Sequence, residues 1–362
     1  MSCVLQISTG SYHEVSYTAE QIIKRLDDIL SKTAVCKVII GWYPDEALYR
    51  KIGAFLHERG IAMLLWLPVF SETSGFVPMS AAVDVHGREI AVPSFHGGEA
   101  FAFCCPTDPE NLQAIRAVYE THFANSGFDG VFLDRIRTHS FVGGTAGVLS
   151  CGCEHCRRAY AEKGVSLEAV AAAYDRLGDR FFDAHERTFA HEEAARFFDA
   201  KSAIIADSVA VLSRFFKDKG MQVGLDVYAP LMSRFVGQSY ERLAPLADFI
   251  KPMLYRCTNA PAGIAYEYAL LSQCVPTATG YAPIQTDEAF LVQELRAMAA
   301  LPCEVYAGVE VNRLADIAPT DAAYITRSLR VLREQDAAGV TLSWNVMEAP
   351  VEHLQAVYDA MA

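Results

Sequence analysis

A single (β/α)8 TIM barrel over residues 1–362, of α/β class, is the fold the sequence predicts. Short apolar runs rich in Val, Ile and Leu recur eight times along the chain, and amphipathic helical patterns alternate with them. Such alternation implies parallel strands joined by right-handed crossovers, and eight units suffice to close a ring. The competing arrangement is an open doubly wound sheet. It lacks support, because no GxGxxG or GxxxxGKS/T fingerprint follows any of the runs.

The strand-like runs fall at residues 3–8, 35–43, 61–69, 130–136, 222–228, 249–255, 304–311 and 340–346. Most are continuously apolar, as strands covered on both faces should be. Helical spacing appears at 19–31, at 44–59 with Gly60 as a C-cap, and at 109–126, 286–300 and 320–337. Two stretches are too long for plain connectors. Residues 72–105, the long loop after strand three, hold several glycines and scattered aromatics and should decorate the active face. Residues 141–219 begin with Gly143, Gly144 and a cysteine cluster, then turn helical. They read as a loop plus helical insertion over 141–200, run together with one barrel helix. Neither stretch has the composition of a flexible linker.

The chain carries 31 basic and 44 acidic residues, a formal net charge of −13. That field repels phosphate backbones and anionic lipid, so nucleic-acid and membrane partners are not expected. The strongest apolar run, residues 61–70, contains Pro68, and a membrane span takes about 20 residues. The first residues, MSCVLQISTG, have no basic stretch ahead of an apolar one. Ten cysteines in 362 residues fall well below disulfide-scaffold density. A cytoplasmic protein with reduced thiols is the expectation, and a homo-oligomer is left open.

Barrels of this kind do their chemistry at the carboxyl ends of the strands. Asp134 closes the fourth run in phase with Phe132, Asp226 lies in the GLDVY of the fifth, and Glu310 ends the seventh. A charge beside a strand end is costly unless it is paired or solvated in a pocket, so three such acids suggest a working cleft. The bland alternative is that each caps a helix or pairs with a nearby arginine. Paired carboxylates suit glycoside hydrolysis, where one protonates the departing oxygen and the other attacks or directs water. Sugar faces also stack on aromatic rings. All three tryptophans, Trp42, Trp66 and Trp344, lie at or near strand ends, as do Tyr228 and Tyr255. These rings, with His96 on the long third loop and with Arg135, Arg137, Lys251, Asn312 and Asn345, are the expected contacts to a carbohydrate.

Three segments carry a resemblance: Cys105–Glu110 (CPTDPE), Gly127–Arg137 (GFDGVFLDRIR) and Cys151–Cys156 (CGCEHC). They resemble the hypothetical glycosyl-hydrolase-like barrel families, and Gly224-Leu225-Asp226 with the later DFIKPMLY run extends the similarity. The GFDGxxxD segment is also similar to strand four of retaining α-glucanases and dextranases. That likeness implies Asp134 as nucleophile and Asp226 as acid/base, although those enzymes usually carry Glu on strand five. The large retaining β-glycosidase clan offers a second mapping, with Tyr255, Glu310 and Trp344 matching its strands six to eight. It would make Asp134 the acid/base and Glu310 the nucleophile, but this chain has Leu133-Asp134 where that clan has Asn-Glu. Asp134 is common to both mappings.

Cys151, Cys153 and Cys156 sit within six residues, and Cys105 lies in the preceding βα-loop. Adjacent barrel loops meet in space, so these four thiols, or His139 or His155 in place of one, fit a structural zinc clip. The alternative is a reduced cluster without metal. No cofactor is expected for catalysis. Lys251 carries a rival reading, since class I aldolases form a Schiff base through a strand-six lysine. A catalytically inactive carbohydrate-binding barrel is the third.

Overall fold

The computed structural model describes residues 1–71, 77, 79–93 and 101–362. Eight strands form a closed ring: β1 (Ser2–Ser8), β2 (Lys37–Gly41), β3 (Ala62–Pro68), β4 (Gly130–Asp134), β5 (Gln222–Tyr228), β6 (Phe249–Met253), β7 (Glu304–Glu310) and β8 (Gly339–Ser343). All eight neighbouring pairs are parallel, and β8 closes on β1. The barrel expected from the alternation is therefore present. Several strands are shorter than their apolar runs. β4 stops at Asp134 because Arg135 takes a left-handed φ of 54°, which takes the chain out of the ladder.

Alternate strand residues fill the barrel. Val4, Ile39, Leu64, Phe132, Phe249 and Tyr306 form one buried layer inside it. Two glycines make that layer possible. A Cβ on Gly224 would lie 2.1 Å from the Phe249 ring, and one on Gly339 would lie 2.3 Å from the Tyr306 ring. Phe132 stacks on Phe249 at 6.0 Å, so the floor beneath the carboxyl ends is aromatic and dry. Each such buried ring stabilises the fold by about 1.5–3 kcal/mol.

The outer helices are α1 (Ala19–Leu30), α2 (Glu46–His57) and α3 (Pro109–His122) in the first half. Thr18, Asp45 and Asp108 cap them by accepting from backbone N–H groups of the first turn. After β4 come α4 (Glu154–Glu162), α5 (Leu167–Leu177), a two-residue-strand hairpin at Ala184–His185 and Thr188–Phe189, and then α6 (Glu192–Lys217). The long α6 packs on β5, and the shorter pieces before it are the inserted excursion. A second buried cluster joins Phe141, Tyr160, Phe181, Phe182, Phe197 and Phe235 under this insertion. Helices α7 (Ile264–Cys274), α8 (Glu288–Arg296), α9 (Ala322–Glu334) and α10 (Val351–Met361) complete the ring. The sequence reading did not mark α7 or α10. Among the described residues, no helix is long and apolar enough to cross a membrane.

Candidate active site

Asp134 and Asp226 end up on adjacent strands, one residue beyond the paired Leu133 and Leu225 and on the inward phase. Neighbouring strands lie about 4.8 Å apart, so the two carboxyls are close enough for the Asp134 charge to act on Asp226. Both oxygens of Asp134 accept from N–H groups: Oδ2 from Trp66 Nε1 at 2.8 Å, and Oδ1 from the Arg135 amide at 2.5 Å. Two N–H donors suit a carboxylate. Asp226 differs. Its Oδ2 accepts from Lys251 Nζ at 2.9 Å, while Oδ1 is buried with no hydrogen-bond partner among the described residues. Burial lifts the Asp226 carboxyl to about 7; Lys251 pulls it down and the Asp134 charge pushes it up.

Lys251 is wholly buried on β6, in register with Asp226. Its ammonium also donates to the Tyr255 hydroxyl and sits 5.7 Å from the Phe132 ring. Burial drives the Tyr255 phenol well above its ordinary value. The Tyr255 ring meets Trp344 edge-on at 6.2 Å, and Trp42 meets Trp66 likewise at 5.4 Å. Trp42 Nε1 is buried without a partner among the described residues. The three tryptophans therefore border the basin, two on the Asp134 side and one on the Tyr255 side.

Glu310, at the end of β7, is committed elsewhere. Oε1 accepts from the Cys257 amide at 2.9 Å and from the Thr258 amide and hydroxyl at 3.1 Å each; Oε2 accepts from the Tyr324 hydroxyl of α9. Burial raises its carboxyl. It ties the loop after β6 to α9. Asn312 is likewise structural in its contacts: Oδ1 accepts from the Trp344 and Asn345 amides at 2.7 and 3.0 Å, and Nδ2 donates to the Asn345 carbonyl. Asn345 accepts from the Ser8 amide and donates to Glu348. These two asparagines shape the backbone that presents Trp344.

The arginines after β4 are held flat on aromatic rings. The Arg135 guanidinium lies 5.3 Å from Trp42 and 4.7 Å from Phe101, and Nη1 donates to Ser71 at 3.4 Å. Arg137 sits between Phe103 at 4.3 Å and Tyr228 at 4.4 Å. Tyr228 in turn donates to Glu267 Oε1 at 2.7 Å, as does Ser140 at 3.1 Å. His139 Nε2 accepts from the Phe103 amide, and burial lowers that imidazole to about 3, so it is neutral. Glu267 and Ser140 escaped the sequence reading. Nothing in the α7 pattern marks Glu267 as different from a surface glutamate, although it is completely buried. His96 falls outside the described residues.

The four cysteines meet. The Sγ atoms of Cys105, Cys151, Cys153 and Cys156 all lie within 4.8 Å of one another, with Cys105 3.2 Å from Cys153 and 3.5 Å from Cys156. Hydrogen bonding from Cys105 and the other neighbours drives Cys153 far toward the thiolate. A tetrahedral zinc with Zn–S near 2.3 Å places its sulfurs about 3.8 Å apart, which this cluster matches. Neither histidine replaces a thiol: His139 is engaged with Phe103, and His155 lies beside Arg158. Thr107 Oγ1 contacts Cys156 at 3.2 Å. Wholly buried Lys201 donates to the Val148 carbonyl just ahead of the cluster and to the Phe235 carbonyl. Nothing in the pattern of α6 marks this lysine as buried.

No family model matches this chain, and neither does any curated protein. Solved structures do. The glycoside hydrolase domain of PgaB (BpsB) from Bordetella bronchiseptica aligns with a TM-score of 0.64 at 16% identity, covering 100% of this chain and 99% of that one. The catalytic domain of β-amylase from Paenibacillus polymyxa gives 0.53 at 12% identity over 99% and 97% of the two chains. A class V chitinase from Pseudomonas fluorescens Pf-5 gives 0.52 at 11% identity over 100% of both. The chain thus shares the closed eight-stranded barrel fold of these proteins along its whole length.

Proposed function

We propose that this protein is a glycoside hydrolase acting on an oligosaccharide or glycoside, with Asp134 and Asp226 as its working carboxyls. One observation carries the reading: the two acids sit side by side in contrasting environments. Asp134 is clasped by two N–H donors, while Asp226 is desolvated, lifted to about 7 and left with one bare oxygen. Two carboxyls held in such contrasting environments suit acid and base roles.

In this mechanism protonated Asp226 gives its proton to the glycosidic oxygen as the C–O bond breaks. Asp134 forms a bond to the anomeric carbon. Water then attacks that carbon, Asp226 takes the water's proton, and Asp134 leaves as the carboxylate. The close strand spacing favours this retaining course, since retaining pairs sit about 5 Å apart and inverting pairs about 6.5–9.5 Å. Lys251 holds the second oxygen of Asp226 and also donates to Tyr255. Trp66 and Trp344 offer faces for the sugar, and Trp42, with Tyr12 and Arg135 against its ring, backs Trp66. The engaged ammonium of Lys251 favours this role over Schiff-base chemistry, which needs a free amine. Glu310, with both oxygens taken, is a shaping residue here.

The four thiolates would hold a structural zinc, pinning the loop before α3 to the loop after β4, beside the basin. The metal supplies no step of the reaction. The proposal sees the enzyme in the cytoplasm, where reduced thiols persist, with a carbohydrate as its substrate.

A panel of aryl glycosides tests the reading, with Asp134→Asn as the control. Turnover by the wild-type protein and its loss in the variant are expected, with proton NMR giving the retained anomer. Binding of sugars by calorimetry without turnover of any glycoside would instead favour the inactive carbohydrate-binding barrel.

A further inference from the structure

Arg137 is a buried cation whose donors are mostly unused. It is 3% exposed, and its flat faces are covered by Phe103 and Tyr228. A guanidinium has five N–H donors. Among the described residues one is used, from Nη1 to the Thr138 carbonyl at 3.0 Å, and no carboxylate lies within ion-pair distance. The sealed, unpartnered side-chain atoms of the interior include Asp226 Oδ1 and Glu267 Oε2 but neither Nε nor Nη2 of Arg137, so those two nitrogens border accessible space.

The Arg137 charge pulls down both the Glu267 and the Asp226 carboxyls, yet neither acid bonds it directly. Glu267 gives Oε1 to Tyr228, Ser140 and the Ala262 amide, and Asp226 faces Lys251. Buried charges are ordinarily paired, because leaving one unpaired costs several kcal/mol. Contact with the Phe103 and Tyr228 rings satisfies none of the guanidinium's N–H groups. The fork thus sits three residues past Asp134, against two rings and with no ion-pair partner among the described residues.

We infer that Arg137 binds an anionic substituent of the sugar, so that the substrate is an acidic glycan. A planar guanidinium matches a carboxylate or a sulfate ester by paired N–H···O bonds. The inference rests on the carbohydrate reading of the basin and narrows it. Lysine would keep the charge but not the fork, which makes Arg137→Lys an informative partner to Arg137→Met.

The test is calorimetry on matched sugars: glucuronate against glucose, galacturonate against galactose, mannuronate against mannose, and glucose 6-sulfate as the sulfate arm. The wild-type protein should bind at least one acidic member about tenfold or more tightly than its neutral partner. Arg137→Met should erase that ratio, and Arg137→Lys should retain part of it. Preference for uronates or for the sulfate identifies the anion. No acidic preference in the wild-type protein, a comparison that needs no variant, overturns the inference, as does a preference that survives in a folded Arg137→Met. Acidic-sugar binding without glycoside turnover would sink the hydrolase reading and leave this one standing. Turnover confined to neutral glycosides would do the reverse.

Discussion

Asp226, near the end of β5, and Glu310, at the end of β7, lie two strands apart in the ring, and both are buried carboxyls raised by desolvation. Their surroundings differ in one respect. Glu310 receives four hydrogen bonds that consume both oxygens, whereas Asp226 receives Lys251 on one oxygen and nothing on the other. Burial alone, then, does not single out a reactive acid. Unspent hydrogen-bonding capacity does, because a proton can be delivered only from an oxygen that is not already occupied.

The sharpest way to break the comparison is at Asp134, the partner that only Asp226 has close by. Asp134→Asn should lower kcat/KM by at least about 10³-fold, or roughly 4 kcal/mol, with circular dichroism unchanged. Glu310→Ala should act in the opposite compartment. Leaving four donors without their acceptor should cost about 3 kcal/mol or more of stability in denaturant melts, with little effect on the rate of the protein that remains folded.

The cysteine cluster gives the next effect. Removing metal with a chelator, or making Cys153→Ser, should lower the melting temperature by several degrees, with zinc lost by elemental analysis. An unchanged melting curve would return the cluster to simple reduced thiols. Gly224→Ala tests the floor below both acids: its new methyl meets the Phe249 ring, and overpacking of this kind costs about 1–3 kcal/mol.

The smallest expected effect is in the pH dependence. The folded-state value of Asp226, about 7, lies above its ordinary 3.8, so folding favours its neutral form. Its contribution to stability is full below about 3.8 and is lost as pH rises through about 7. Asp226→Asn does not titrate there and should flatten that part of the stability profile. In the wild-type protein the same titration removes the acid, so kcat/KM should fall on the alkaline side of about 7.

Much of this was legible in the residues because barrels translate sequence phase into direction. Asp134 shares its phase with Phe132, Asp226 with Gly224, and Lys251 with Phe249, and the structure turns all of them inward. The convergence of Cys105 on Cys151, Cys153 and Cys156 was also readable, since consecutive βα-loops are neighbours. What stayed hidden depends on contacts between distant loops. Glu267 and Lys201 sit on helices whose patterns give no cue that their charges are buried, and their partners are 127 and 53 residues away in sequence. The commitment of Glu310 was hidden for the same reason. Its strand-end position matches that of a catalytic acid, and only the loop after β6 reveals that its oxygens are taken.

The division of labour between the two aspartates is tested most directly by leaving-group dependence. Once a turned-over aryl glycoside is known, its dinitrophenyl and unsubstituted phenyl forms can be compared across wild type, Asp226→Asn and Asp134→Asn. An acid is dispensable when the leaving group departs without a proton. Asp226→Asn should therefore retain most of its activity on the dinitrophenyl glycoside and lose about 10²-fold or more on the phenyl one, while Asp134→Asn loses both. Equal losses on the two substrates in Asp226→Asn would contradict the assignment of Asp226 as the proton donor.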